Sequence, residues 1–398
     1  MKVLALGGPG AMGAVATRMA VGMAGVSEVV IADRDHAAAE RLARELTGSG
    51  VPVSARRVDV TDEDGLRGAL ESADVVLNTV GPYFRFGLAV LRAAIETRTH
   101  YLDICDDWEP TLPMLELDEY ARRAGVCAIV GMGASPGVSN LLAAMAAREL
   151  DRVDDVYTAW PVKGDDDKDD DLLVGQDGRP TAAAVHWMQQ ISGTVATVRA
   201  GQVVHEPPLR PVALSLPGGR AGTAYTVGHP EPLTLRRTLG VTGDSANLMI
   251  ISPGVVAYLD VLRTDIDKGV LTNESAAVDL AGPSWRRGIR SMARSAKFKS
   301  PGNLPHFFAA AIGPKDGEPR TVLARLTDES AGMASLTSDM ARATGIPLAL
   351  GLSQVVDGTI TRPGVHAPDA VVDLDRFFVD LADSVGDGPG IDAVVIEK

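Results

Sequence analysis

Short apolar runs alternate with stretches of helical spacing through the first third of the chain. Val3-Leu4-Ala5-Leu6 reads as a buried strand that stops at a glycine-rich turn. After the turn, Met12, Val15, Ala16, Met19 and Ala20 recur with the period of one apolar helix face. Further strands are predicted at Val29 to Ala32 (ending at Asp33), Val53 to Val58, Val75 to Leu77, Tyr101 to Ile104 and Val126 to Val130. Helical patterns lie between them, at His36 to Leu46, Leu88 to Ile95 and Met114 to Arg123. Strands joined by helix-length connections give βαβ units, because a parallel crossover needs that length. The expected fold class is α/β, with an N-terminal doubly wound parallel sheet of the Rossmann type over residues 1–132.

The pattern changes after Gly131 to Gly137. A helix is predicted from Val138 to Leu150, then a strand at Val156 to Trp160 and β-like runs at Val212 to Leu216, Thr223 to Val227 and Thr321 to Leu326. Residues 133–335 therefore read as an α+β substrate and dimerisation domain. Met333 to Thr344 is helical in pattern, Pro347 to Val356 is apolar, and residues 336–398 are expected to return to the first domain. The run from Asp165 to Asp171, six aspartates around Lys168, reads as a solvated loop or as an attractor for a cationic substrate.

Composition narrows the function. The 398 residues carry a net charge of −14, which repels phosphate backbones and anionic lipid heads, so nucleic acid and membrane are not expected partners. Two cysteines, Cys105 and Cys127, are too few for a disulfide framework or a four-thiolate zinc site, and no group has metal-ligand spacing. The run Val3 to Leu6 is shorter than a secretory core, so a cytoplasmic protein is expected.

Gly8-Pro9-Gly10-Ala11-Met12-Gly13 fits GxGxxG between a strand and a helix. Gly8 is read as the tight turn, Gly10 as the point where backbone approaches a pyrophosphate, and Gly13 as the close packing contact. The amides of Ala11 and Met12 open the helix and offer its positive end. Asp33 follows at the end of the second strand, where it can bond the adenosine ribose hydroxyls. The neighbouring Arg34 suits a 2′-phosphate instead, so NAD(P) is expected with a slight lean to NAD. Asp59 and Val60 would flank the adenine, although Asp59 also suits a helix cap.

Three further stretches, Asn78-Thr79-Val80-Gly81-Pro82-Tyr83, His100 to Asp107 and Gly131 to Leu142 (GMGASPGVSNLL), carry a resemblance. With the glycine motif they resemble the saccharopine dehydrogenase (saccharopine reductase) family over residues 1 to 145. Looser echoes stand at Gly228 to Pro232 and Gly364 to Pro368. The resemblance implies a two-domain, dimeric NAD(P)-dependent oxidoreductase acting at carbon–nitrogen bonds of amino acids or amines. Where family members often carry threonine-glycine-glutamate, this chain has Cys105-Asp106-Asp107. Where the saccharopine-forming enzymes have aspartate-proline-glycine, it has Ser135-Pro136-Gly137. Recognition of saccharopine itself is therefore not implied.

The mouth of such a fold lies beyond the carboxyl ends of its strands. Gly81 and Pro82, with Asn78, Thr79 and Val80, are expected along the nicotinamide. The catalytic candidates are Asp107, then Asp103 and Tyr83: a carboxylate can steady an iminium cation or deliver a proton, and a phenol can donate one. Ser135, Asn140, His186 and His229 are substrate-binding candidates, with helix capping or core packing as the plainer roles. Two other readings remain open: a reductase acting on a C–O or C=C bond, and a non-catalytic dinucleotide sensor.

Overall fold

The computed structural model describes residues 1–162, 180–327, 330–386 and 392–398. The aspartate-rich run at 165–171 lies outside them. The chain divides into two compact units, residues 1–144 with 326–395, and residues 145–325 with 396–398.

The first unit is built on strands β1 (Lys2–Leu6), β2 (Glu28–Asp33), β3 (Val53–Arg57), β4 (Val75–Asn78), β5 (His100–Asp103), β6 (Cys127–Ile129) and β15 (Gly364–His366). They form one sheet in the order β15-β6-β5-β4-β1-β2-β3, with every pair parallel. The strand order reverses between β1 and β4. Such a switch point leaves a crevice outside the carboxyl ends of the two strands, where ligands of this architecture bind. The strands are apolar along nearly their whole length because helices cover both faces of a parallel sheet. Leu4, Leu6, Val76, Tyr101 and Ala128 are buried in one cluster with helix residues Val90, Leu91 and Met114.

Several elements depart from expectation. The helix predicted from Met114 to Arg123 is two helices, α5 (Trp108–Leu115) and α6 (Asp118–Ala124). The chain breaks at Glu116 and Leu117, where the Leu117 amide bonds back to the Met114 carbonyl in a tight turn. Helix α4 (Tyr83–Glu96) starts five residues before the apolar pattern does. The two C-terminal segments at 333–344 and 347–356 resolve differently, into helices Ala331–Ser338 and Met340–Val356, the second running through Pro347. That long helix lies against α1 (Ala11–Ala20). At Gly345 a β-carbon would stand 2.5 Å from the Met12 carbonyl oxygen, so only glycine permits the approach. Helix α7 (Val138–Ala147) belongs to the first unit as far as Ala144, beyond the boundary expected at residue 132.

The second unit holds a nine-stranded mixed sheet. Its main path runs β10 (Pro211–Leu216), β11 (Arg220–Thr226), β12 (Ser245–Ile250), β7 (Asp155–Pro161), β13 (Phe308–Lys315), β14 (Glu318–Leu326) and β16 (Val394–Glu397). The β12–β7 pair is parallel, and β8 (Val195–Arg199) with β9 (Gln202–Glu206) branches from β12. Tyr157, Leu214, Leu248, Phe308 and Leu323 fill one buried cluster of this unit. Met188, Tyr225, Met249, Leu259 and Leu262 fill another.

Candidate functional site

The glycine cradle sits at the carboxyl end of β1. The tight turn belongs to Gly7, at φ +77°, rather than to Gly8, which instead packs so that a β-carbon would meet the Ala5 carbonyl at 2.9 Å. Gly13 allows the helix to close on the loop: a β-carbon there would lie 2.6 Å from the Gly7 oxygen and 2.7 Å from Thr79 Oγ1. Gly10 is different. It is the exposed N-cap of α1, and a β-carbon would meet only the Gly7 oxygen, at 3.2 Å. The space over Gly10 is thus left open by the protein, beside the first-turn amides of Ala11, Met12 and Gly13, which an α-helix leaves without intrahelical acceptors. No acidic side chain stands in that first turn. These features fit a dinucleotide pyrophosphate.

Asp33 closes β2 with one carboxylate oxygen already accepting the Asp35 N–H at 2.8 Å. Arg34 beside it is exposed. Asp59 accepts the N–H and hydroxyl of Thr61 at 2.9 and 2.7 Å, and these bonds hold its carboxyl below the ordinary range, helped by Arg34 and Arg57. The helix that follows is capped by Asp62, not Asp59. Val60 is half-buried next to it.

The strand ends beyond β1 carry a buried polar network. Asn78, at the end of β4, donates to the Tyr101 hydroxyl at 3.0 Å, and that hydroxyl donates to Asp103 Oδ2 at 2.6 Å. Asp103 Oδ1 accepts the N–H groups of Gly131 at 2.7 Å and Cys105 at 3.1 Å. Burial pushes the Asp103 carboxyl up to about 6, against the pull of those hydrogen bonds. The period of two that places Tyr101 and Asp103 on one face of β5 is what joins them. Asn78 Oδ1 accepts the Val80 N–H at 3.1 Å, and Thr79 bonds the Leu6 carbonyl through both its N–H and its hydroxyl. Gly81 is exposed and Pro82 half-buried ahead of α4.

Tyr83 is buried, and its hydroxyl donates to the Asn78 carbonyl at 2.8 Å; burial pushes its phenol well above the ordinary value. Asp107 is 2% exposed. It occupies the N-cap position of α5 without a side-chain capping bond there. Its Oδ2 instead accepts the Phe84 N–H, at 3.1 Å, in the first turn of α4. A helix N-terminus stabilises negative charge on that oxygen. Cys105 is fully buried and its thiol is pushed well above its ordinary value by desolvation, as befits a core residue.

Asn140 holds its own loop together. It accepts the Gly137 N–H at 3.2 Å and donates to Asp369 at 2.9 Å, while Gly137, at φ +122°, lies so close to Gly133 that a β-carbon would collide with it. Ser135 is half-buried in the same loop. His186 and His229 fall in the second unit; His186 bonds Gln190 at 2.9 Å, and His229 is buried. The sequence reading passed over Gly7, Tyr101 and the Gly131 amide. The signals were present in the Gly7-Gly8 doublet and in a tyrosine two residues before a strand-end aspartate.

Residues 3–129 match the model of the saccharopine dehydrogenase NADP binding domain. Saccharopine dehydrogenase [NADP(+), L-glutamate-forming] of Saccharomyces cerevisiae is 24% identical over 90% of this chain and 92% of its own. The chain is similar to an NADP-dependent saccharopine dehydrogenase along nearly its whole length. Carboxynorspermidine synthase of Vibrio cholerae is 25% identical over 39% of this chain and 42% of its own. The apo structure of the Saccharomyces cerevisiae L-Glu-forming saccharopine dehydrogenase shares the fold, with a TM-score of 0.61 at 19% identity, covering 97% of this chain and 98% of that one. The lean to NAD gains no support, since both the matched domain and the yeast relative are named for NADP. Among the described residues, no helix is long and apolar enough to cross a membrane.

Two outcomes follow for this unit. Gly10→Leu should reduce NADPH affinity by at least ~100-fold by fluorescence titration, with little change in melting temperature, because its backbone angles suit any residue while its side chain fills the cradle. Unchanged affinity would remove the cradle from the account. Asp103 supplies a pH signature. Its folded carboxyl, at about 6, lies above the unfolded value, so the folded state binds the extra proton between about pH 4 and 6. Its contribution is greatest below that window and is lost as pH rises through 6. Relative to Asp103→Asn, the wild type should therefore lose on the order of 3 kcal/mol between pH 4 and 7 in urea unfolding. A difference that is flat with pH would contradict this.

Proposed function

We propose that this chain interconverts an imine and an amine on an amino acid or amine substrate, with NADP as the hydride carrier. The observation that carries the reading is the alignment of three polar segments, Asn78 to Tyr83, Asp103 to Asp107 and Gly131 to Asn140, at the ends of β4, β5 and β6, on the side of β4 away from the glycine cradle of β1. The names of the yeast and Vibrio relatives, a saccharopine dehydrogenase and a carboxynorspermidine synthase, support the choice of carbon–nitrogen chemistry.

A bound nicotinamide supplies or accepts the hydride. The chain does the rest. Gly10 and the opening amides of α1 hold the pyrophosphate. Asp33 receives ribose hydroxyls, Arg34 pairs with a 2′-phosphate, and Asp59 and Val60 border the adenine. Asn78, Thr79, Val80, Gly81 and Pro82 line the nicotinamide end. Asp107, bonded to the start of α4, steadies the positive charge of an iminium carbon–nitrogen centre. Asp103 and Tyr83 act at one remove, fixing the backbone from which Asn78, Gly131 and Asp107 project. Ser135 and Asn140 shape the substrate loop. A homodimer, as the resemblance implies, and a cytoplasmic location, expected from the short N-terminal apolar run, are part of the same proposal.

NADPH oxidation with a panel of keto acids and amines, and the reverse reaction with the corresponding secondary amines, tests the reading directly. Turnover with simple carbonyls alone would favour a C–O reductase, and cofactor binding without turnover would favour a sensor. Arg34→Ala should weaken NADPH about 10- to 100-fold while leaving NADH unchanged, the loss expected of one charged hydrogen-bonded contact. Equal effects on both cofactors would place 2′-phosphate recognition elsewhere. Asp107→Asn retains an acceptor for the Phe84 N–H but removes the charge, so turnover should fall at least ~100-fold with NADPH affinity and melting temperature preserved. Near-normal turnover would remove Asp107 from the chemistry.

A further inference from the structure

The helix Trp285–Ser295 of the second unit is mounted the wrong way round for a surface helix. Its apolar side chains face water: Trp285 is 71% exposed, Ile289 59% and Met292 76%. With the exposed C-cap Ala296 they follow spacings of four, three and four residues. At 3.6 residues per turn the four share about 60° of arc. The opposite side holds arginines turned into the protein. Arg287 bonds Asp265 at 2.8 Å and also Asp279; Arg290 bonds Asp265 at 2.8 and 2.9 Å; Arg294 bonds Asp260 at 2.6 Å. Asp260 and Asp265 lie on the helix Pro253–Asp267 and Asp279 on the helix Asn273–Ala281, all within the second unit. Asp265 and Asp279 are buried, so these ion pairs are needed where they are. Both ends of the helix are fixed. The Ser284 N–H donates to Asp279 Oδ1 at 2.8 Å, and the Phe298 ring beyond the last turn meets Tyr225 edge-on at 5.6 Å. A surface helix ordinarily buries its apolar stripe and turns its charges outward. The reverse arrangement marks a face that a partner covers.

We propose that this face is where two copies of the chain meet, their Trp285–Ser295 helices laid antiparallel across a two-fold axis. This rests on the homodimer reading above and not on the amine chemistry. A two-fold interface must be complementary to itself. The seam is so when read in the reverse direction. With the axis at the level between Arg290 and Ser291, Trp285 meets Ala296 of the partner subunit and Ile289 meets Met292 of the partner subunit. The largest side chain faces the smallest, and the two middle layers join side chains of similar size. Spacings of four, three and four are those of the apolar seam of a helix pair. A parallel pair would set indole on indole at one end and methyl on methyl at the other. Charge selects the same occupant. The chain carries −14, so much of its surface repels a second copy, whereas this seam is uncharged and its helix holds no acid. Exposed Arg286 lies over the Trp285 ring at 5.3 Å, and in the antiparallel pair it falls beside Ala293 of the partner subunit rather than beside a cation. An anionic membrane surface fits less well, because Arg287, Arg290 and Arg294 are committed to aspartates instead of being turned to lipid phosphates.

Sedimentation velocity of the full chain over a range of concentrations is the test. The wild type should sediment as a dimer. Ile289→Glu and Met292→Lys should each raise the dimer dissociation constant at least ~100-fold, since each variant buries an unpaired charge from both copies. Both positions are exposed in the single chain, so the circular dichroism spectrum and NADPH affinity should not change. Mixed in equal amounts, the two variants should recover a dimer, because one middle layer then pairs the introduced acid with the introduced base while the other stays native. Trp285→Cys combined with Ala296→Cys should form interchain disulfides under mild oxidation, and neither single variant should. The two positions lie about 16 Å apart along one helix, and Cys105 and Cys127 are buried. A wild-type dimer that persists in Ile289→Glu, a mixture that recovers no dimer, or disulfides in Trp285→Cys alone would overturn the proposal while the homodimer reading stands. A monomeric wild type, including one that floats with phosphatidylserine vesicles, would end both, and imine reduction would be untouched by either result. Should a charged variant not fold, the disulfide pattern decides the matter.

Discussion

A carboxylate with no exposed surface must be met by donors, and Asp103 sets that requirement for the first unit. Its three hydrogen bonds come from Tyr101 on the same strand, from the Cys105 amide at the start of the following turn, and from the Gly131 amide beyond β6. Through Tyr101 the network reaches Asn78 on β4, and through Asn78 it reaches Val80 and Tyr83. One buried acid therefore fixes the ends of three neighbouring strands. Those ends launch the segments assigned to the nicotinamide and the substrate. The hydrogen bonds offset a desolvation cost that remains visible in the raised proton affinity of the group.

The constraint also gives two aspartates of one segment different surroundings. Asp103 and Asp107 look alike in the sequence, two aspartates after one strand. The surroundings differ. Asp103 faces backbone and phenol donors at the strand ends, whereas Asp107 accepts an N–H from the first turn of α4. That bond brings a second fixed positive end, the start of α4, to the region, besides the start of α1.

What was legible in the sequence was the part governed by short-range pattern. Six strands of the parallel sheet announce themselves as apolar runs, and the strand–glycine–helix context marks the cradle. The seventh strand, Gly364–His366, is three residues long and joins the sheet only through pairing with β6, so no local period reveals it. The split between α5 and α6 and the passage of a helix through Pro347 are tertiary outcomes. Apolar burial outweighs the lost hydrogen bond in the second case, where nearly every residue from Gly345 to Val355 is buried. The glycine motif begins at Gly8, but the positive φ of the tight turn falls one residue earlier, at Gly7. In the second unit a buried polar cluster is assembled across strands, from Thr158, Trp160, His229, Glu231 and Asn247, and Thr158 and Asn247, 89 residues apart, meet through the β7–β12 pairing. Spacing along the chain carries no trace of such a cluster.

The central claim is that hydride moves between the nicotinamide and a carbon bonded to nitrogen. Turnover of an imine-forming keto acid and amine pair with NADPH deuterated at its transferring C4 position, followed by mass spectrometry of the product, tests that claim directly. The account predicts one deuterium, on the carbon attached to the new amine nitrogen. Deuterium on a carbinol carbon or an alkene-derived carbon, or no transfer at all, would contradict it.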